Sequence, residues 1–239
     1  MLSSFVERRL TGEPLAWITG LIEFGGLSVR VAPGVYVPRW QSELLAERAL
    51  ARLPEDGLAI DLCTGSGALA MVLAAGRPSA RVYATDVDEA SVACARSNGV
   101  DAVTGDLFAP LPPALRGTVD VVAGVVPYVP TGELPLLQRD TFTFETPLAY
   151  DGGPDGCALL RRALRDAARF LRPGGALLLE LGGDEATLIA GDLEDSGYGD
   201  VAVLADEDGD VRGVAATLRP ARMGSSAGPV RSLDGPAGA

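Results

Sequence analysis

The sequence predicts an α/β fold: a Rossmann-like parallel sheet with an antiparallel last strand, preceded by a small β-hairpin. Three observations carry this. Short apolar runs at residues 57–62, 80–85, 119–125 and 176–181 alternate with helical patterns, and that alternation builds a parallel sheet with helical crossovers. The run Val119, Val121, Val122, Ala123, Val125, Val126 has no polar alternation beyond Asp120, as in a strand covered on both faces. The acidic turn DEDGD between apolar runs at 199–204 and 211–217 is too short for a crossover, so the last two strands pair antiparallel.

Taken in order, residues 1–16 read as a short helix ending near Gly12 and Pro14. In WITGLIEFGGLSVRVAPGVYVPR, Ile22 and Phe24 precede Gly25-Gly26, and Leu27, Val29 and Val31 follow. That is a hairpin signal, and Pro33-Gly34 ends it. A helix follows at 41–52, with Leu44, Leu45, Ala49 and Leu50 inward. The core then runs strand 57–62, helix 66–75, strand 80–85, helix 88–97, a short strand at 100–104 and the loop GDLFAPLPPALRG. Strand 119–125, a loop to Asp155, helix 156–171, strand 176–181, a helix at 184–195 and the terminal hairpin complete it. From Pro220 the Gly, Ser, Pro and Ala content predicts a flexible tail. The expected organisation is residues 1–40 as helix and hairpin, 41–218 as the main domain and 219–239 as tail.

Composition excludes several chemistries. There is no histidine, and every one of the 20 basic residues is arginine. Ser-His-Asp and Cys-His pairs, His-ligated zinc, a Schiff-base lysine and a Walker lysine are therefore absent. The formal charge of −12 argues against a duplex nucleic-acid partner, which requires a concentrated basic surface. The basic run RRALRDAARFLR places Arg161, Arg162, Arg165, Arg169 and Arg172 around a stripe of Leu160, Leu164, Ala168 and Leu171, the pattern of a solvated helix face. Cys63, Cys94 and Cys157 have no metal or redox spacing, so no metal is expected. No apolar run reaches membrane-spanning length and MLSSFVERRL lacks a secretory pattern, so the expected location is cytoplasmic.

The chemistry centres on LAIDLCTGSGALAMVLA, an apolar run ending at Asp61, a turn holding Gly65 and Gly67, and an apolar helical segment. GSGALA matches the dinucleotide pattern, and Asp86 follows Gly67 by nineteen positions, where a ribose-binding acid belongs. Two cofactors compete for such a turn, a nicotinamide dinucleotide and S-adenosylmethionine. Asp61 tips the balance. A carboxylate four residues before Gly65 opposes a pyrophosphate but pairs with the amino group of a bound amino acid. S-adenosylmethionine has that amino group and no phosphate. Glycines then allow close backbone approach, Asp86 accepts from the ribose hydroxyls, Asp61 faces the methionine end, and Asp106 of GDLF faces the adenine amino group.

AIDLCTGSGALA, YATDVD, GDLF, DVVAGVVPYV and LRPGGALLLELG are similar, in order and spacing, to class I S-adenosylmethionine-dependent methyltransferases. GEPLAWITGLIEFGGLSVRVAPGVYVPRWQSE and ETPLAYDGGPDGCALLRR resemble, more narrowly, the release-factor glutamine N5-methyltransferases of the HemK/PrmC type. The resemblance spans residues 8–217 and implies a seven-stranded sheet, S-adenosylmethionine as cofactor, and a peptide chain release factor as partner. The cofactor-binding residues would be Asp61, Gly65, Gly67, Asp86, Asp106 and Leu107.

It also implies that an Asn-Pro-Pro-Tyr motif after the fourth strand holds the acceptor amide. Here that motif reads Val125, Val126, Pro127, Tyr128. An amide nitrogen is a poor nucleophile that must be gripped and aimed, and valine supplies neither donor nor acceptor. Two alternatives follow: a small-molecule acceptor suited to a more apolar pocket, and a cofactor-binding protein without turnover. WQSE at Trp40 to Glu43 stands where the family has Pro-Glu-Thr-Glu. Arg39 and Glu43 remain, read as an arginine–carboxylate contact at a helix start.

Overall fold

The computed structural model describes residues 2–137 and 143–220; most of the expected tail lies outside these residues. The strands and helices of the main domain stand close to where the apolar periodicity places them, except that the strand expected at 176–181 already begins at Leu171. They are α3 (Ser42–Arg52), β3 (Leu58–Leu62), α4 (Ala68–Gly76), β4 (Arg81–Asp86), α5 (Glu89–Ser97), β5 (Asp101–Thr104), β6 (Val119–Gly124), α6 (Ala158–Phe170), β9 (Leu171–Glu180), β10 (Tyr198–Ala205) and β11 (Val211–Leu218). Ahead of them lie α1 (Leu2–Leu10), α2 (Leu15–Thr19), β1 (Leu21–Phe24) and β2 (Leu27–Arg30). The hairpin turns through Gly25 and Gly26 at φ 54° and 75°, a left-handed pair that suits glycine.

Three elements differ from expectation. The N-terminal segment holds two helices, because Pro14 starts a second one whose buried Ala16 and Trp17 pack with Ile22 of the hairpin and Val31 just after it. The helix expected at 184–195 is split into α7 (Glu185–Leu188) and α8 (Ala190–Asp195). A two-residue strand β7 (Val129–Pro130) pairs in parallel with β8 (Asp151–Gly153), within what reads as one long loop. Such short pairs leave no periodic signal.

The main sheet has seven strands in the order β10-β11-β9-β6-β3-β4-β5, with β11 antiparallel to both neighbours. Successive strand residues face opposite sides. Thus Ile60, Leu62, Val122, Leu177 and Leu179 pack toward α6, while Ala59, Val121, Ala123 and Leu178 pack toward α3, α4 and the hairpin residues Phe24 and Val29. On α6 the inner stripe is Leu160, Ala163, Leu164, Ala167 and Phe170. Its arginines pair with acids: Arg161 with Asp155 and Asp192, Arg162 with Asp106, Arg165 with Asp192, Arg169 with Asp166. Arg172, just beyond, pairs with Asp120. Among the described residues no helix is long and apolar enough to cross a membrane.

The chain runs outward through β3, β4 and β5, then returns to place β6 on the other side of β3. That reversal opens a crevice at the carboxyl ends of β3 and β6, the place where open α/β sheets bind ligands.

Candidate active site

Asp61 is the only acid within β3, 1% exposed. Its Oδ2 accepts the Thr64 hydroxyl at 2.6 Å and the Ala70 N–H at 3.2 Å. Burial pushes its pKa up to about 7 against the lowering effect of those bonds. Next along the chain, Cys63 adopts φ 54° and Gly65 φ 55°, which turns the backbone sharply toward α4. A Cβ at Gly65 would meet only Tyr36 Cβ, at 3.9 Å, so its face is open.

Asp86 ends β4 across the crevice. Its Oδ2 accepts the Gly65 N–H and its Oδ1 the Asp88 N–H, each at 2.9 Å. Those bonds hold the carboxylate toward the crevice while further lone pairs remain for a diol. Burial raises its pKa in spite of them. Gly65, Asp86, Val125 and Pro127 line one lobe, walled also by Leu148 and Ala149. Asp61, Thr64, Ser66 and Val125 line the adjoining lobe, in which Ser66 Oγ is buried without a hydrogen-bond partner among the described residues. An open glycine, a held carboxylate and an orphaned hydroxyl along one crevice fit a nucleoside joined to an amino acid.

Not every expected residue reaches this crevice. Gly67, at φ 85°, has the Val100 side chain 2.8 Å and Ala95 Cβ 3.1 Å from where its Cβ would lie. Its small size serves helix packing rather than close approach of a ligand. The Asp106 side chain is 54% exposed and bonded to Arg162 at 2.6 Å, outside both lobes. Leu107 turns at φ 48° and buries its side chain in the core.

The four-residue motif after β6 is divided. Val126 is core, Val125 and Pro127 wall the crevice, and Tyr128 opens into a second cleft of about 410 Å³. That cleft is lined by Tyr36, Arg39, Trp40, Tyr150, Glu180 and Arg212 as well. Tyr36 borders all three spaces and stands as their shared wall. The segment ETPLAYDGGPDG covers Tyr128 closely: a Cβ at Gly152 would lie 2.7 Å from Tyr128 Cα, and one at Gly156 2.3 Å from its carbonyl oxygen. Only glycine allows that approach.

Sequence reasoning missed two groups here. Arg39 bonds Glu145 Oε2 at 2.7 Å, and Glu145 Oε1 accepts the Val37 N–H at 2.9 Å. The expected arginine–carboxylate contact is thus made 106 residues away, while Glu43 accepts the Gly25 N–H at 3.2 Å. Tyr150 also donates to Glu145. The second is Glu180, 5% exposed at the end of β9. The signal was present: LLLE ends in a lone acid just as LAID does.

The fold and the crevice together define a class I methyltransferase that uses S-adenosylmethionine. Residues 28–107 match the Methyltransferase small domain family. A release factor glutamine methyltransferase of Moorella thermoacetica is 42% identical over 195 residues, 77% of this chain and 67% of that protein. One from Mycolicibacterium smegmatis is 39% identical over 221 residues, 89% of this chain and 77% of that protein. A 4-amino-L-phenylalanine/4-methylamino-L-phenylalanine methyltransferase of Streptomyces pristinaespiralis is 39% identical over 189 residues, 74% of this chain and 65% of that protein. In fold, the chain is similar to the E. cuniculi Mtq2–Trm112 complex responsible for methylation of the eRF1 termination factor, at TM-score 0.58 and 22% identity, over 78% of this chain and 99% of that one. The chain belongs to the release factor glutamine methyltransferase family.

Proposed function

We propose that this chain methylates a glutamine side-chain amide in a peptide chain release factor, a reaction of the cytoplasm. The observation that carries this is the release-factor relatives' similarity, 42% over 195 residues, joined to a crevice lined by Asp61, Gly65 and Asp86. Residues 41–218 form the methyltransferase domain, and residues 1–40 add a helix-and-hairpin layer to it.

When bound, S-adenosylmethionine supplies an electrophilic methyl group on a sulfonium. Asp86 accepts from the ribose hydroxyls, Gly65 lets the backbone approach, and Asp61 with Ser66 receives the amino-acid end. Val125 and Pro127 form the wall between donor and acceptor, with Tyr128 on the acceptor side. No strong base is needed, since orientation carries most of the rate. Transfer of labelled methyl from S-adenosylmethionine to a purified release factor tests the reading; absence of transfer to any glutamine refutes it.

A second reading, a small-molecule amine acceptor, is favoured by Val125. The position that would grip an amide is apolar, and a relative of 39% identity bears the name of a methyltransferase for an aromatic amine. An assay with 4-amino-L-phenylalanine beside the release factor separates the two.

A further inference from the structure

Glu180 follows directly on Leu179, which pairs with Gly124 between β9 and β6. The next residue of β6's chain is Val125, so Glu180 and Val125 are lateral neighbours at the carboxyl edge of the sheet. Glu180 is 5% exposed, and its Oε2 is buried with no hydrogen-bond partner among the described residues. It takes part in none of the ion pairs found among those residues. A buried carboxylate oxygen without a partner is costly, and at Glu180 that oxygen belongs to a residue lining a cleft beside Val125. Glu180 lines the second cleft with Tyr36, Tyr128, Tyr150 and Arg212. Burial raises its pKa against the lowering effect of the Ser42 and Tyr128 hydroxyls and the Arg212 charge; Ser42 Oγ is likewise buried without a hydrogen-bond partner among the described residues.

We propose that Glu180 holds the methyl acceptor, its free oxygen accepting a hydrogen bond from the N–H of the nitrogen to be methylated. It thereby supplies, one strand away, the acceptor half of the grip that Val125 lacks. The proposal rests on the N-methyltransferase reading above. It also defines the substrate class. An ionised carboxylate accepts but does not donate, so within the N-methyltransferase reading the acceptor nitrogen carries at least one N–H, as in a carboxamide or a primary or secondary amine, and tertiary amines are excluded.

Wild type, Glu180→Gln and Glu180→Ala are compared for methyl transfer to a release factor and to 4-amino-L-phenylalanine, with S-adenosylhomocysteine titrations and thermal melts alongside. Loss of a charged hydrogen bond predicts a fall in kcat/KM of about 10- to 100-fold for Glu180→Ala. Glu180→Gln, which keeps an accepting carbonyl, recovers part of the loss. S-adenosylhomocysteine affinity is unchanged and the melting temperature holds or rises, because an unpaired buried charge has been removed. Wild-type transfer with kcat/KM of Glu180→Ala within threefold overturns the proposal alone, as does a loss matched by loss of S-adenosylhomocysteine binding. No wild-type transfer to either acceptor overturns the N-methyltransferase reading and this proposal with it.

Discussion

Asp61 makes the cofactor end of the site pH-sensitive in a way that can be worked out. Its carboxyl is 1% exposed and burial holds its pKa at about 7. An ammonium group placed against it requires the ionised form. At pH 5 about 1% of such a group is ionised and at pH 6 about 10%, so affinity for the amino-acid end rises about tenfold over that unit and flattens above pH 7. An α-amino group, with pKa near 8, stays about 90% protonated up to pH 7 and falls to about half at pH 8, so the slope is read between pH 5 and pH 7. Calorimetric titration with S-adenosylhomocysteine over that range reads this directly, and Asp61→Asn should flatten most of the slope. Asp86 contributes any remainder, its pKa being raised by burial as well. A wild-type affinity independent of pH, or an Asp61→Asn slope equal to wild type, refutes the assignment. Stability carries the same signature with its own sign. A carboxyl whose folded pKa lies above its unfolded 3.8 binds more protons when folded. Its contribution is therefore present below about pH 4 and lost as pH rises through about 7. Asp61→Asn should weaken that fall in melting temperature.

Other substitutions probe the acceptor side and the frame. Val125→Asn restores the family's amide at the wall and should raise methylation of a release factor about tenfold over wild type, while an unchanged rate would show that the grip lies elsewhere. Gly67→Ala places a Cβ 2.8 Å from Val100 at φ 85°, which predicts a loss of about 1–3 kcal/mol by chemical denaturation. Arg39→Met strips the cationic partner from the Glu145 carboxylate, whose side chain is fully buried. Because Arg39 is itself over a third exposed, the expected loss is about 1–3 kcal/mol rather than the full cost of a buried pair.

How far the sequence could be read depended on the range of the interaction. The strand and helix pattern of residues 41–218 was legible because each element buries a face with its own period. The Gly25-Gly26 turn was legible because only glycine takes two successive left-handed residues cheaply. The set Asp61, Gly65, Asp86 was legible because one strand–turn–helix and the end of the next strand hold it at a fixed spacing. Gly67 and Asp106 stand outside the crevice lining for the opposite reason. The Gly67 Cβ position is met by α5 and Val100, and Asp106 by an arginine 56 residues on. Neither contact has a local signature.

The sequence by itself determined a parallel sheet closed by an antiparallel pair, a glycine turn after its first core strand, and a valine at the first position of the four-residue motif after β6. It did so because backbone geometry and burial are written in neighbouring residues. Only the tertiary structure decided which groups surround that valine. Pairing of Gly124 with Leu179 brings Glu180 beside Val125, and the segment carrying Glu145 and Tyr150 folds back onto Arg39. Side chains as far apart in sequence as Tyr36, Tyr150, Glu180 and Arg212 become one cleft only when the sheet is assembled.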